Sequence, residues 1–285
     1  MGGFKKVRTL GLAVVALTAL GGCGGGGFLG FGGGRQPDLE TLSAQQIYQR
    51  GEVELASRDY DDAAELFGEV ERLYPYSEWA KRALIMQAFA FHRDRDYEAS
   101  RAAAQRYIDF FPADDDAAYA QYIIALSYYD QVDDVGRDQG VTFQALQSLR
   151  TVIERYPDTE FARSSILKFD LAFDQLAAKE MEVGRYYLKR GHYLAAVNRF
   201  RVVVEDFQTT TQTPEALHRL VESYLSLGLT DEAQTAGAIL GHNFRSTEWY
   251  EDSYALLTGR GLTPEARGDG WLRRIYRQTI RGEWL

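Results

Sequence analysis

The chain contains a single cysteine, Cys23, and its surroundings indicate covalent chemistry on the thiol. A lone thiol cannot form an intramolecular disulfide, which leaves packing, metal binding, redox chemistry or covalent modification. Basic residues within positions 5–8 precede an apolar run over 10–20 and the small residues Gly21 and Gly22. That order is the layout of a secretory signal peptide, and 11 apolar residues are too few for a membrane span of about 20 residues. Cleavage before Cys23 would make it the N-terminal residue.

The segment Leu20-Gly21-Gly22-Cys23 resembles the bacterial lipobox. The resemblance implies a lipoprotein signal peptide over 1–22, a thioether-linked diacylglycerol on Cys23 and an acylated amine. An aspartate directly after the cysteine would imply retention in the inner membrane. The residue at this position is Gly24, which favours sorting to the outer membrane. Residues 24–34 contain eight glycines, which predicts that 23–40 form a lipidated cysteine followed by a flexible tether. The alternative is an ordinary signal peptide that contains an incidental cysteine.

The charge of the chain argues against nucleic acid as a partner. The formal net charge of −9 includes three basic residues of the signal peptide, so the mature chain carries −12. Phosphate binding requires a basic surface, and we therefore expect no nucleic-acid partner. Six prolines and many Ala, Leu, Glu, Arg and Gln residues predict helix.

The polar residues form no catalytic or metal-binding pattern. The four histidines are scattered without a His-x-x-x-His pair, and the chain has no Gly-x-Ser-x-Gly elbow. Three aspartates at 114–116 follow Pro112 but lack the alternating ligands and the glycine of a calcium loop. The sequence therefore predicts a protein that is not an enzyme and that holds neither a metal nor a cofactor.

A pattern of small residues repeats along the chain. Residues 58–80 and 95–117 are close copies, and looser copies follow. Gly51 and Gly184 precede the first and fourth small positions by twelve residues. This pattern resembles the tetratricopeptide (TPR) repeat, which is 34 residues long. Its features are small residues at two helix contact points, an apolar residue four positions later and a closing proline. The small position recurs at spacings of 37, 45, 51 and 37 residues, at Ala63, Ser100, Ala145, Ala196 and Ala233.

The spacings predict an all-α solenoid of five helical hairpins. Extra residues in the third unit fall in QVDDVGRDQGV and predict a projecting loop between its two helices. Extra residues in the fourth unit fall in a 30-residue stretch over 161–190 without proline, which predicts one helix about 45 Å long. This helix would join three N-terminal repeats over 41–160 to two C-terminal repeats over 161–258.

A TPR solenoid offers an extended concave surface lined by the first helix of each repeat. Tyrosine combines apolar area with a hydrogen-bonding group, so an aromatic groove suits an extended or aromatic-ended peptide. The alternative for each residue is a core position at helical spacing. The repeat frame places nine residues along the predicted groove: Tyr48, Glu52, Ile85, Phe89, His92, Tyr119, Tyr122, Leu126 and Tyr129.

The order of these features resembles the BamD (YfiO/ComL) family. The resemblance rests on five features: the lipobox, the tether, a first unit ending YPYSEWAKRA, the VGRDQG loop and the fourth-unit segment KEMEVGRYYLKRGHYLAAVNRF. It implies a non-catalytic lipoprotein scaffold on the periplasmic face of the outer membrane, working with other lipoproteins of the β-barrel assembly machinery. Its C-terminal repeats would bind the last POTRA domain of BamA, and its N-terminal repeats would receive unfolded outer-membrane proteins. The alternative is another periplasmic TPR lipoprotein that organises peptidoglycan or division proteins.

Two basic segments are candidates for partner contacts. Arg185, Lys189, Arg190 and Arg199 lie near the start of the C-terminal half, where they would pair with a partner's carboxylates or form a solvated face. The tail over 259–285 departs from the family and combines apolar and basic residues in one short helix. It would contact a partner or anionic lipid, pack on the fifth repeat, or remain disordered. The tail residues are Trp271, Leu272, Ile275 and Tyr276 with Arg273, Arg274, Arg277 and Arg281.

Overall fold

The structure is a computed structural model that describes residues 38–135, 137 and 139–280, with the backbone alone at 279 and 280. The predicted signal peptide, Cys23, the glycine tether and Arg281 lie outside the described residues. Every regular element in the described part of the chain is helical, which confirms the predicted all-α class. The elements are a 3-10 helix (Leu39–Thr41) and α1 (Ala44–Ser57), α2 (Tyr60–Leu73), α3 (Glu78–Asp94), α4 (Tyr97–Phe110), α5 (Ala117–Tyr129), α6 (Gly140–Arg155), α7 (Glu160–Lys189), α8 (Tyr193–Asp206), α9 (Thr213–Leu227), α10 (Thr230–Asn243), α11 (Glu248–Thr258) and α12 (Trp271–Ile280).

The helices pack in chain order, as the repeat pattern predicts. Each helix from α1 to α10 contacts the next one, so α1–α2, α3–α4, α5–α6, α7–α8 and α9–α10 form five hairpins. The first helices of the hairpins also lie side by side, because α3 contacts both α1 and α5, and α5 contacts α7. The TPR-type solenoid is confirmed, and its first helices present neighbouring side chains on a common face.

Two glycines explain how close the paired helices come. A Cβ atom built at Gly51 would lie 2.8 Å from Cε1 of Phe67, and one built at Gly184 would lie 2.4 Å from Cε1 of Phe200. Both phenylalanines are fully buried. In both hairpins the phenylalanine ring of the second helix therefore occupies the space that a side chain at the glycine would need.

The long helix α7 belongs to both halves of the solenoid. It runs for 30 residues without a break, and its length is about 45 Å at 1.5 Å per residue. It contacts α5 and α6 of the third hairpin and α8 of its own. Met181 and Gly184 are buried on the same helix, as the lengthened repeat predicts.

The loop between α5 and α6 is attached to α7 instead of projecting freely. The Gln175 side-chain amide donates a hydrogen bond to the backbone carbonyl of Asp133. Val132, Val135 and Leu171 help to line a shallow pocket of about 480 Å³ between this loop and α7. The inserted loop is thus part of the face formed by the first helices.

An aromatic residue directly follows each second helix as its C-cap, and the pattern of small residues did not predict this regularity. The five residues have φ between −124° and −135°, and each backbone N–H donates to the carbonyl four residues earlier. Four of the five aromatic side chains, those at 74, 111, 207 and 244, pack against the hydrophobic cores. These residues are Tyr74, Phe111, Tyr156, Phe207 and Phe244.

The chain after the fifth hairpin packs onto the solenoid. α11 contacts α9 and α10, and α12 contacts α10. Leu272 is 1% exposed and Ile275 is buried in the C-terminal core, while the Trp271 indole N–H donates to the Tyr224 hydroxyl at 3.0 Å. The described part of the tail therefore packs on the fifth repeat, which is one of the three alternatives that the sequence leaves open. Arg274 is exposed on the outer side of α12.

Candidate functional site

The first helices of the third and fourth repeats build an aromatic surface. The Phe161 ring centroid lies 5.2 Å from that of Tyr119 and 5.5 Å from that of Tyr122. Burial raises the pKa of Tyr119, and the neighbouring Tyr122 raises it further, so this phenol stays neutral. We call this region the α5–α7 aromatic surface; its residues are Tyr119, Tyr122, Leu126 and Tyr129 on α5 with Phe161, Ser164 and Lys168 on α7.

The spacing of residues on both helices creates the surface. Positions 119, 122, 126 and 129 recur every three or four residues, which places them on one side of α5. Positions 161, 164 and 168 do the same on α7. The Tyr122 hydroxyl lies 2.7 Å from Ser164 Oγ, and this hydrogen bond ties the two helices together at the middle of the surface.

A lysine lies over two of the tyrosine rings. Lys168 Nζ is 5.8 Å from the ring centroids of both Tyr122 and Tyr129, within the range of cation–π attraction. It also donates a hydrogen bond to Ser164 Oγ at 3.3 Å. The groove prediction does not include Lys168 or Phe161, because it covers the first helices of the first three repeats and these residues belong to the lengthened fourth.

Exposed leucines continue the apolar character along α7. Leu167 is 68% exposed and Leu171 is 63% exposed, one turn apart on the same helix. Leu171 follows Lys168 by three residues and borders the pocket beside the α5–α6 loop. Large exposed apolar side chains next to an aromatic surface are typical of binding sites for other chains.

Two of the nine predicted groove residues are core residues, and the prediction is corrected there. Tyr48 is 8% exposed, and its ring packs 5.3 Å from Phe67 and 5.1 Å from Trp79, measured between centroids. Ile85 is equally buried in the core of the second hairpin. Both side chains point into contacts between helices, so neither offers surface to a ligand.

Three further predicted groove residues, Glu52, Phe89 and His92, lie on α1 and α3 and do not belong to the α5–α7 aromatic surface. Glu52 is exposed on α1, and Phe89 is half-buried on α3 against the core of the second hairpin. His92 lies near the end of α3, where its Nε2 is 3.1 Å from Asp130 Oδ2 and its ring contacts that of Tyr97 edge-on. The structure brings Tyr119 and Tyr122 together with α7, and leaves Glu52 and His92 at other places.

The predicted partner-binding cations divide into two groups. Arg185 pairs with Glu215 at 2.9 Å and Arg199 pairs with Glu180 at 3.0 Å, so both join neighbouring helices within the chain. Arg190 stacks over the exposed Tyr186 ring, with its guanidinium carbon 4.0 Å from the ring centroid. Lys189 is exposed in the last turn of α7. Lys189 and Arg190 are therefore the more accessible members of this set.

A polar cluster that the sequence analysis does not predict lies on α9 and α11. Arg219 bridges Glu215 and Glu222 at 3.2 and 2.7 Å, and its guanidinium carbon lies 5.4 Å from the Trp249 ring centroid. Beside it, His218 Nδ1 is 2.8 Å from Ser253 Oγ. The cluster on α9 and α11 thus presents paired charges, whereas α5 and α7 present aromatic rings.

The described residues also limit the chemistry of the site. They contain no group of three or more His, Cys, Asp or Glu side chains arranged to hold a metal ion. Among them, none of the helices has both the length and the apolar character needed to cross a membrane. The arrangement offers binding groups: aromatic rings, exposed leucines and one lysine.

Fold and surface together define a TPR-type repeat protein whose first helices share a common face. A sequence profile of the YfiO family, described as "Outer membrane lipoprotein", matches residues 40–239. The chain belongs to this family.

Named relatives cover most of the chain. A protein of Caulobacter vibrioides named "Outer membrane protein assembly factor BamD" is 44% identical over 254 residues, which are 88% of this chain and 81% of the relative. A protein of the same name from Rickettsia prowazekii is 42% identical over 74% of this chain and 84% of its own. The solved structure of a thermophilic TPR protein of Thermus thermophilus is 20% identical, covers 75% of this chain and 98% of its own, and has a TM-score of 0.33. None of these three is named for an enzymatic activity.

Proposed function

We propose that this protein is a non-catalytic lipoprotein scaffold of the β-barrel assembly machinery. It binds the barrel subunit BamA and unfolded outer-membrane proteins, and it is held at the periplasmic face of the outer membrane by lipid on Cys23. The observation that carries this proposal is the 44% identity to a protein named outer membrane protein assembly factor BamD across most of both chains. The lipobox around Cys23 supports the anchor.

The α5–α7 aromatic surface suits the proposed substrates. Tyr119, Tyr122 and Phe161 present apolar rings, and the exposed Leu167 and Leu171 extend the same face. An extended chain rich in aromatic and aliphatic side chains would bury this area while tyrosine hydroxyls accept or donate hydrogen bonds. The surface is fixed by packing between α5 and α7, so little ordering is needed when a peptide binds.

The C-terminal half suits the partner subunit. Lys189 and Arg190 are exposed where α7 ends, and a partner's carboxylates would pair with them in an orientation set by charge. Arg185 and Arg199 have a structural role in this proposal, because their ion pairs with Glu215 and Glu180 hold α7 against α9 and α8.

The proposal is tested by affinity purification of the tagged, lipidated protein from its own outer membrane, with copurifying chains identified by mass spectrometry. We expect a POTRA-containing barrel protein in stoichiometric amount. The double variant Lys189→Glu/Arg190→Glu should recover less of it, because both charges are reversed. Arg163→Glu, an exposed cation in the first turn of the same helix, is the matched control and should recover the wild-type amount.

Recovery of peptidoglycan or division proteins without a barrel protein would contradict the proposal. It would favour another periplasmic TPR adaptor with the same anchor and repeats. Equal recovery with the charge-reversed and control variants would leave the scaffold role in place and remove Lys189 and Arg190 from the partner contact.

A further inference from the structure

Both halves of the solenoid have a groove beside the ends of two second helices. Residues on and next to α8, α9 and α10 line the C-terminal groove, and residues on and next to α2, α3 and α4 line the N-terminal groove. The two grooves are equivalent, because an offset of 133 residues separates Ala63 from Ala196 and Ser100 from Ala233. The same offset pairs seven lining positions: 71 with 204, 75 with 208, 76 with 209, 80 with 213, 84 with 217, 110 with 243 and 111 with 244.

The C-terminal groove holds the amphipathic helix α12 of the same chain. Leu272 and Ile275, three positions apart on α12, are both buried in the C-terminal core. Ile275 lines, together with Leu217 and Phe244, a remaining pocket of about 300 Å³. This type of groove therefore accepts a short helix that presents two aliphatic residues on one face.

The N-terminal groove is wider and more aromatic. Its volume is about 800 Å³, and the buried Leu84 lies at its base. Tyr76 is 101% exposed and Phe110 is 64% exposed, although both line the same groove. They stand at the positions that Thr209 and Asn243 hold in the C-terminal groove. Two large apolar side chains exposed along one groove are typical of a binding site for another chain.

Ion pairs determine which part of this groove can make apolar contacts. Glu71 and Arg106 stand where the C-terminal groove has two aliphatic side chains, and they pair at 3.3 Å between α2 and α4. An apolar residue over this pair would desolvate it at a cost, so the apolar contacts belong at Tyr76 and Phe110. The two cations that line the groove are also paired within the chain: Arg72 with Glu69, and Lys81 with Asp114.

We infer that the groove between α2 and α4 is a docking site for a short amphipathic helix of a partner protein. The helix follows the pattern of α12, with two aliphatic residues three positions apart that cover Tyr76 and Phe110. A partner protein is favoured over a second copy of this chain, because Leu272 and Ile275 of α12 are already buried on their own solenoid. The inference adds an interaction surface to the proposed function and does not depend on it.

A peptide of residues 269–280, held helical by a hydrocarbon staple on its outer side, probes the groove in a fluorescence anisotropy titration of the full chain. We expect binding by the wild type and binding about tenfold weaker by Tyr76→Ala/Phe110→Ala, because both anchors of the contact are removed. The peptide variant Leu272→Glu/Ile275→Glu should not bind.

Phe143→Ala is the matched control. Phe143 is an aromatic residue of α6, it is 60% exposed, and it does not line the groove. Its variant should bind the peptide as the wild type does, and circular dichroism melting checks that each variant is folded. Absence of binding by the wild type, or binding that Tyr76→Ala/Phe110→Ala leaves unchanged, would overturn the inference.

Photo-crosslinking in living cells tests what occupies the groove. A benzophenone side chain placed at position 76 or at position 110 should crosslink to one segment of one partner protein, at residues three or four apart. Crosslinks to α12 of a second copy, to extended segments of many chains, or to no protein would overturn the inference. The POTRA-containing barrel protein should still copurify with Tyr76→Ala/Phe110→Ala, so failure of this inference and failure of the proposed function are separate results.

Discussion

At the scale of single residues, His218 is an ionisable side chain placed where charge is unfavourable. It is 4% exposed, it shares a hydrogen bond with Ser253, and its ring centroid lies 5.4 Å from that of Trp249. Burial lowers the pKa of His218 because the protonated ring loses its hydration. Nearby charges modify this effect: Glu222, Asp252 and Glu215 raise the pKa, and Arg219 lowers it.

The lowered pKa of His218 predicts a loss of stability in mild acid. The unfolded chain takes up the proton near pH 6.5, whereas the folded chain takes it up at lower pH. The free energy of unfolding therefore keeps the full contribution of His218 above about pH 6.5 and loses it as the pH falls towards the folded pKa. Urea unfolding at pH 7.5, 6.5 and 5.5 should show a smaller loss for His218→Gln than for the wild type.

The exposed His242 supplies the control for this prediction. His242→Gln should follow the wild-type pH dependence. The same loss of stability in His218→Gln and wild type would contradict the assigned role of the buried ring.

At the scale of helices, the contact of Gly184 with Phe200 fixes the spacing of α7 and α8. Alanine has the higher helix propensity, by about 1 kcal/mol, so helix formation alone would favour Gly184→Ala. The added methyl would lie 2.4 Å from the buried Phe200 ring, which must then shift. Overpacking of this kind costs about 1–3 kcal/mol, and we expect Gly184→Ala to lower the free energy of unfolding by about 1 kcal/mol.

Denaturant unfolding of three variants checks this prediction. Gly270→Ala is the control, because a Cβ atom there meets nothing within 4 Å, and its stability should stay near that of the wild type. Gly184→Ala/Phe200→Leu removes the ring edge and should recover part of the loss. A higher free energy of unfolding for Gly184→Ala would contradict the prediction, because it would show that the Phe200 ring moves aside without loss of stability.

At the scale of the whole molecule, α7 makes two sets of hairpins into one structure. It contacts α5 and α6 on one side of the junction and α8 on the other. Stability in a solenoid is a sum of repeat and nearest-neighbour terms, so a break in a shared helix should separate the unfolding of the two halves. Ala178, half-buried in the middle of α7, is the position where such a break is best made.

We expect Ala178→Pro to divide unfolding into two transitions. Proline removes a backbone hydrogen bond inside the helix and clashes with the preceding turn, at a cost of about 3 kcal/mol. Hydrogen exchange measured by mass spectrometry across a urea series should show α5 and α6 separating from α8 to α10. Glu160→Pro is the control, because the first helical position tolerates proline and Thr159 before it is extended. A single unshifted transition in Ala178→Pro would contradict this account of α7.

Patterns along the chain are sufficient to predict the class of fold, the repeat spacing and the family. Small residues recurring at fixed separations specify helix contacts between neighbours in the chain, and such contacts need no knowledge of distant partners. The same local logic predicted α7, since 30 residues without proline and with apolar residues at helical spacing form one helix.

Which side chains are exposed follows from the packing between helices and not from the pattern along the chain. Tyr48 and Tyr122 hold similar places in their first helices, yet Trp79 of the following hairpin covers Tyr48 while Tyr122 remains half-exposed beside Ser164. Helical period gives the face of a helix but not how far the next helix covers it. The same reason explains Lys168 and His218, because one lies over two rings of α5 and the other is enclosed by α11. The accessibility of side chains at this surface depends on those contacts between helices, which spacing along one helix cannot report.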